Sequence, residues 1–583
     1  MENNSTIKPI IKPIIKPIRL DRFYYKKHFE EFFRKLKNRS IYESIRLQHP
    51  QIEQLLFVYR SLSEAEKNLF VRLFMRNTLT FKASELAIYS ELSDVEVHLQ
   101  RLIHLGLVGL ETQNESAENI QHQIQDFLSC SRQDLASLHQ LLGSYFLHQL
   151  GYDRKTLKAL EFSFEPAYYF KFHFIKFFSF YLYFERLEKD LKEFTLRDLK
   201  ISNYFNVPFA KTTKFKDAVS AEVTFVSEIL SAVDFDVCDE RQLDLIIKFM
   251  EDNVNSFFGV EREIHQLGLK LVEFVKSKQQ FKTQFQKIIS ILDHHPFRIL
   301  KVKQLHKEKY FSERDLLMQQ IVSQPENLEE KSMAEELLHD WTMKSRKRRI
   351  TKTQEESETV ELKEMYFGRP ETGLMFHYIE QGVMCYWTEN WLWTSFFGLL
   401  FWDILFPEAI DYQGIDFKPI LHKPYDLKSK RFYDKHHHQI DELLSLLFQP
   451  TVLEKKITKV FTENYGFYNT VFEWRKNILE PLLLLIHKSH PESTKLVLLE
   501  MVKDFKLNST GFPDLMLVKG RQISFVEVKA EGDKIREDQL AKIKFLNESG
   551  FPTKIVQVRW QMDSNQEFCI VDVETTGGNK DRN

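Results

Sequence analysis

Near the C-terminal end of the chain, apolar residues alternate with others along Leu515 to Val518 and again along Ile523 to Val528, within GFPDLMLVKGRQISFVEVKA. This period of two predicts a β-hairpin with Lys519-Gly520 as its turn. From Ile535 to Ser549 the apolar spacing becomes helical and stops at Gly550, and Lys554 to Val558 reads as a further strand. The predicted order is strand, strand, helix, strand. Far upstream, Trp391 to Phe406 is apolar on every side, the mark of a buried helix.

The rest of the chain has a helical period. Phe29 to Gly109 is helix-rich, with Ser93-Asp-Val-Glu96 as a capping box before a helix that stops near Gly106, and Leu107 to Glu111 reads as a short strand. Helices followed by a short strand suggest a winged-helix-like unit. From about 190 to 342 helix follows helix, broken by the Gln324-Pro-Glu-Asn turn, without a clean 34-residue period. KSRKRR at 344–349 and TQEESETVELKE after it are charged and poor in apolar residues, which reads as a linker. At the N-terminus, IKPIIKPIIKPI places proline every fourth residue, which forbids a regular helix and favours an extended basic arm.

At 583 residues the chain exceeds what one hydrophobic core organises, so several units are expected. Its net charge of −2 requires that any nucleic-acid-binding function use local basic patches. The dispersed Cys130, Cys238, Cys385 and Cys569 argue against a disulfide framework and a zinc finger, and fit a reducing cytoplasm. The longest greasy stretch, Ala167 to Phe184, is interrupted by Lys171, His173 and Lys176, so it reads as a core helix and no membrane partner is expected. The dense Phe and Tyr are assigned to core packing. His436-His437-His438 make poor joint ligands, because consecutive side chains diverge. Neither a Walker loop nor a GxGxxG segment occurs.

The hairpin carries the candidate chemistry. Glu527 and Lys529 are two apart on a strand and share a face, and Asp514 opens the partner strand. Two carboxylates and a lysine suit metal-dependent phosphodiester cleavage. Asp and Glu oxygens match Mg²⁺, which lowers the pKa of water, and a fixed cation stabilises charge on the phosphate. Val528 offers only its carbonyl as a ligand. A bare D…ExK pattern arises by chance in a chain that is 28% charged, but here Pro513 fixes the backbone directly before Asp514 and the flanking elements are well formed. Glu389 opens the apolar helix, where a carboxylate calls for a cation or for the helix dipole. Asp403 would lie about 21 Å further along a continuous helix, too far to share an ion, and is read as structural.

These residues resemble the VRR-NUC branch of the PD-D/E-x-K nuclease superfamily, and more closely a bacterial-type member of the Fanconi-associated nuclease family. GFPDLMLV…FVEVKAEGDKIREDQL places Asp514, Glu527, Lys529, Asp533 and Gln539 at the family's Asp, Glu, Lys, Asp and Gln, and ENWLWTSFFGLLFWDILF at 389–406 looks like the helix that opens its nuclease domain. The resemblance implies Glu389, Asp514, Glu527 and Val528 as ligands of Mg²⁺ or Mn²⁺, and Asp514, Glu527, Lys529 and Gln539 as catalytic. It implies a 5′-flap endonuclease and 5′-to-3′ exonuclease that acts on branched or 5′-ended DNA in interstrand crosslink repair, cytoplasmic and nucleoid-associated if bacterial. A restriction-type or junction-resolving nuclease and a non-catalytic DNA-binding scaffold are the alternatives. Trp387 stands where the family usually has histidine, and Lys542 replaces a common tryptophan.

The expected architecture is therefore mostly α-helical over the N-terminal two-thirds, followed by an α/β restriction-endonuclease-like domain. In order these are an arm at 1–20, a winged-helix-like DNA-binding domain at 21–118, a SAP-like module at 119–170, a tetratricopeptide-like helical domain at 171–343, a linker at 344–370 and a VRR-NUC nuclease domain at 371–583. Arg154, Lys155 and Lys158, with Arg346 and Arg348, are candidate phosphate contacts.

Overall fold

The computed structural model describes residues 22–561 except 90, 112–113, 132–137, 152–165, 188–190, 200–212, 214, 256–257, 344–356, 407–416, 419–422, 425–426, 428–429 and 468. The arm at 1–20 and the candidate DNA contacts Arg154, Lys155, Lys158, Arg346 and Arg348 lie outside the described residues. The chain divides into two units. One holds residues up to Glu326 with Gly398–Ile440 and Lys459–Trp474, and the other holds Asn327–Phe397, Asp441–Thr458 and Arg475 onward.

The first unit is helical around an aromatic core. Phe29, Phe32, Phe70, Phe74, Phe174 and Phe178 are all nearly inaccessible, as packing of such large apolar surfaces demands. Three short strands, β1 Thr80–Lys82, β2 Val108–Leu110 and β3 Ala167–Phe170, form an antiparallel sheet in the order β1-β3-β2. Helix 95–104 and β2 form the expected helix-then-strand pair, but the start of that helix differs from the sequence reading. Its N-cap is Asp94 in a left-handed conformation (φ 46°), without a side-chain cap, so the box from Ser93 to Glu96 is not made. The greasy stretch from Ala167 also divides into β3 and a helix at His173–Phe184. Within that helix Lys176 is buried and donates to the Arg76 carbonyl at 2.6 Å, which satisfies the cation. Among the described residues, no helix is long and apolar enough to cross a membrane.

The second unit is built on a five-stranded sheet. Its elements are helix α1 Leu328–Met343, strand β4 Glu358–Lys363, helix α2 Pro370–Glu380, strand β5 Met384–Trp387, helix α3 starting at Glu389, strands β6 Leu515–Lys519 and β7 Gln522–Lys529, helix α4 Glu537–Glu548 and strand β8 Thr553–Gln561. The strand order is β4-β8-β7-β6-β5, with β8 parallel to both its neighbours and β6 antiparallel to both of its own. Val360 and Leu362 of β4 alternate with exposed charged residues and join the core, so part of the stretch read as linker is an edge strand. Helix α1, read as part of the tetratricopeptide-like segment, packs on α4, where Lys544 donates to Ser332 at 3.1 Å.

In the hairpin, Lys519 pairs with Gln522, so the turn is Gly520-Arg521, one residue later than the sequence reading. Gly520 takes φ +62°, which glycine adopts without a Cβ clash. The apolar run after Glu389 is not one continuous helix. It ends at Leu400 and resumes for one turn at Trp402–Leu405, where Asp403 is exposed. Leu392, Trp393 and Phe396 are buried, as an all-round apolar pattern requires.

Candidate active site

The antiparallel register decides which residues meet. The C-terminal end of β5, the N-terminal end of β6 and the C-terminal end of β7 share one rim of the sheet, with Trp387 opposite Leu515 and Leu515 opposite Val526. Asp514 is directly before β6 on this rim. Its side chain accepts the Val528 N–H at 2.8 Å. Its carbonyl accepts the N–H groups of Thr388 at 2.8 Å and Glu389 at 3.0 Å. The start of α3 is thereby fastened to the hairpin. Glu389 has φ 42°, a conformation that costs a non-glycine residue roughly 1–3 kcal/mol and recurs at functional sites.

The approach to Asp514 is held from two further directions. Asn390 accepts the Phe512 N–H at 3.0 Å. Lys542 is buried, donates to the Asn508 carbonyl at 3.0 Å, and has its ammonium 4.6 Å from the centre of the Phe512 ring. A cation over an aromatic face gains from the ring quadrupole, yet burial still pushes its pKa down to about 8.

Glu527 lies on the opposite sheet face from its neighbours Val526 and Val528 and is 1% exposed. Gln539 of α4 donates to Glu527 Oε1 at 2.6 Å. Lys529 Nζ lies 2.8 Å from the same oxygen and donates to Gln539 Oε1 at 3.1 Å. This closes a triangle of Glu527, Lys529 and Gln539. Glu527 Oε2 is buried and has no hydrogen-bond partner among the described residues. Burial holds the carboxyls of Asp514 and Glu527 above the ordinary carboxylate range; Glu371 and Glu389 add to the rise at Asp514, and Asp514 adds to it at Glu527. A buried, half-partnered carboxylate beside a second carboxyl is costly unless a cation joins it, so the donor set fits a hard divalent ion. Among the described residues, no group of three His, Cys, Asp or Glu side chains already forms a metal cage.

The structure thus brings Glu389, Asp514, Glu527, Val528, Lys529 and Gln539 to one rim. Asp533 lies beside it, accepting the Ala530 N–H at 3.1 Å and closing the turn after β7. The three histidines at 436–438 share a helix but not their partners: His436 meets Gln439, and His437 meets the Asp434 carbonyl. Sequence reasoning missed two charged neighbours. Glu371, in the first turn of α2, raises the Asp514 pKa, and Arg536, directly before α4, interacts with the charges of Glu527 and Asp514. Pro370-Glu371 is a helix-start signal, and it was the only hint of the first.

Comparison with known proteins shows what the chain is similar to. The VRR-NUC domain family matches residues 449–560, and the family described as FAN1, HTH domain matches residues 23–109. The Fanconi-associated nuclease 1 homolog of Pseudomonas aeruginosa is 25% identical over 528 residues, 88% of this chain and 92% of that protein. The homolog of Arabidopsis thaliana is 28% identical over 178 residues, which is 30% of this chain but only 20% of the plant protein. A solved structure of paFAN1 bound to 2-nucleotide 5′-flap DNA with a gap aligns with TM-score 0.73 at 22% identity, covering 94% of this chain and 100% of that one. A second, with 1-nucleotide 5′-flap DNA, gives 0.72 at 22% identity. At that identity the structural likeness is one of fold.

Proposed function

The chain belongs to the Fanconi-associated nuclease family, and from that premise we propose that it is a structure-specific, metal-dependent DNA nuclease. It acts as a 5′-flap endonuclease and 5′-to-3′ exonuclease in interstrand crosslink repair. The observation that carries the reading is Glu527, buried with one oxygen unpartnered and the other held by Lys529 and Gln539.

Glu389, Asp514 and Glu527, with the Val528 carbonyl, would hold Mg²⁺ or Mn²⁺. Such an ion supplies an activated water and charge stabilisation for phosphodiester hydrolysis. Lys529 contributes a fixed, buried positive charge, which would stabilise negative charge growing on the phosphate oxygens. Gln539 holds both Glu527 and Lys529 in place, since each has a hydrogen bond to its amide. Branched or 5′-ended DNA is the substrate, and the cytoplasm, at the nucleoid in a bacterium, is the place of action.

Labelled 5′-flap, 3′-flap and four-way-junction substrates with Mg²⁺ test this. Preferential cleavage of the 5′ flap is expected. Preference for the junction would favour a junction-resolving enzyme, and inactivity on all three would leave only a DNA-binding scaffold, although none of the four catalytic positions has been lost.

A further inference from the structure

Of the seven tryptophans, Trp387 alone is exposed, with 50% of its surface open. Trp391, Trp393 and Trp402 are buried, and Trp341, Trp474 and Trp560 are partly covered. Leaving so large an apolar ring in water is unfavourable, and a tryptophan with its π-face uncovered is a ready partner for another planar group. Its position makes it informative. Trp387 ends β5, the edge strand, and among the described residues no further strand covers its outer side. It pairs with Leu515, one residue from Asp514, and the next two residues, Thr388 and Glu389, both donate to the Asp514 carbonyl. The indole is therefore mounted on the same rigid rim that carries the carboxylates. The register Trp387–Leu515–Val526 puts the indole at this rim on the sheet face opposite Glu527 and Lys529. An exposed aromatic face is a platform on which proteins stack the bases of a single strand.

We propose that Trp387 stacks on the nucleobase flanking the scissile phosphate and so fixes which phosphate enters the site. This rests on the nuclease reading above. Stacking would act on binding and register, and the hydrolysis machinery would be unaffected. Base stacking on an aromatic side chain is worth roughly five- to 150-fold in affinity, and that is the size of effect the test must resolve.

The test uses the full chain and a set of labelled 5′-flap DNAs, each with one abasic nucleotide at a successive position around the cut. KM and kcat with Mg²⁺ are measured for the wild type, Trp387→Ala and Trp387→Phe, and affinity is measured by fluorescence anisotropy with EDTA. Trp387→Ala should raise KM on intact DNA by about ten-fold with kcat little changed, and Trp387→Phe should restore most of the loss. One abasic position should weaken the wild type by a similar factor yet cost Trp387→Ala nothing further, because the two changes remove the same contact. An unchanged KM in Trp387→Ala, or abasic penalties equal in both proteins at every position, overturns the proposal. If the wild type cleaves no DNA the nuclease reading fails, and the same coupling test in the anisotropy data then decides for or against stacking. Should Trp387→Ala lose its native unfolding transition, Trp387→Leu, which keeps apolar bulk without a π-face, replaces it with the same outcomes.

Discussion

Lys542 makes the sharpest physical prediction. Its ammonium is buried between the Asn508 carbonyl and the Phe512 ring, and burial lowers its pKa from 10.5 to about 8. At pH 7 the group is charged in both the folded and the unfolded chain, so folding bears the full cost of burying the charge. Between about pH 8 and 10.5 the unfolded chain keeps the proton while the folded chain has lost it. Stability must rise with pH across that window, because the unfolded state binds more protons. At 1.36 kcal/mol per unit, the contribution approaches roughly 3 kcal/mol, of which about 2 is gained between pH 7.5 and 10. Lys542→Met removes the titration. Urea unfolding of both proteins at half-unit pH steps, followed by tryptophan fluorescence, reads the difference between them from the shift in midpoint at a common slope. The wild type should gain on the variant by about 2 kcal/mol from pH 7.5 to 10. A difference that stays flat, or that moves against the wild type, would refute the reasoning.

Other outcomes follow from the site. Asp514→Ala should abolish cleavage of a labelled 5′ flap while leaving DNA affinity within about three-fold, since it removes a candidate ligand and no basic contact; normal cutting would show the site to be misassigned. Gln539→Leu keeps the volume but removes the amide that holds both Glu527 and Lys529, and kcat should fall about 10- to 100-fold with KM little changed; a wild-type kcat would remove Gln539 from the machinery. Gly511 has φ +77°, and an added Cβ would lie 3.1 Å from the Asp538 carbonyl. Gly511→Ala should therefore destabilise by about 1–2 kcal/mol and lower kcat through the displaced Asp514, which urea midpoints and single-turnover rates would check.

The parts of the fold legible in the sequence were those governed by a local period. The hairpin's alternation, the helix that carries Gln539 and the buried helix after Glu389 all announced themselves in this way. Register errors came from turn chemistry. Gly520 was visible, but whether it took the first or second turn position depended on the pairing of Lys519 with Gln522. Strand β4 was hidden because its two core residues, Val360 and Leu362, sit among charges that resemble a linker. Glu371 and Arg536 could not be found from spacing, since what brings them to the site is tertiary packing. Lys542 was noticed only as a substitution, and its burial is a property of the pocket formed by Asn508 and Phe512. The Ser93 capping box is not made because the N-cap position falls to Asp94, in a left-handed conformation, one residue later than the motif places it.

The bond from the Asp514 carbonyl to the N–H groups of Thr388 and Glu389 closes a loop of more than a hundred residues, and the chain leaves the nuclease unit after Phe397 and returns to it for good only at Arg475. The matched segment at 449–560 holds Asp514, Glu527, Val528, Lys529 and Gln539 but omits Glu389 and Trp387. A C-terminal fragment cut at residue 449 would therefore be half of a split enzyme. Activity in the fragment would have to be restored in trans by the piece that carries Glu389.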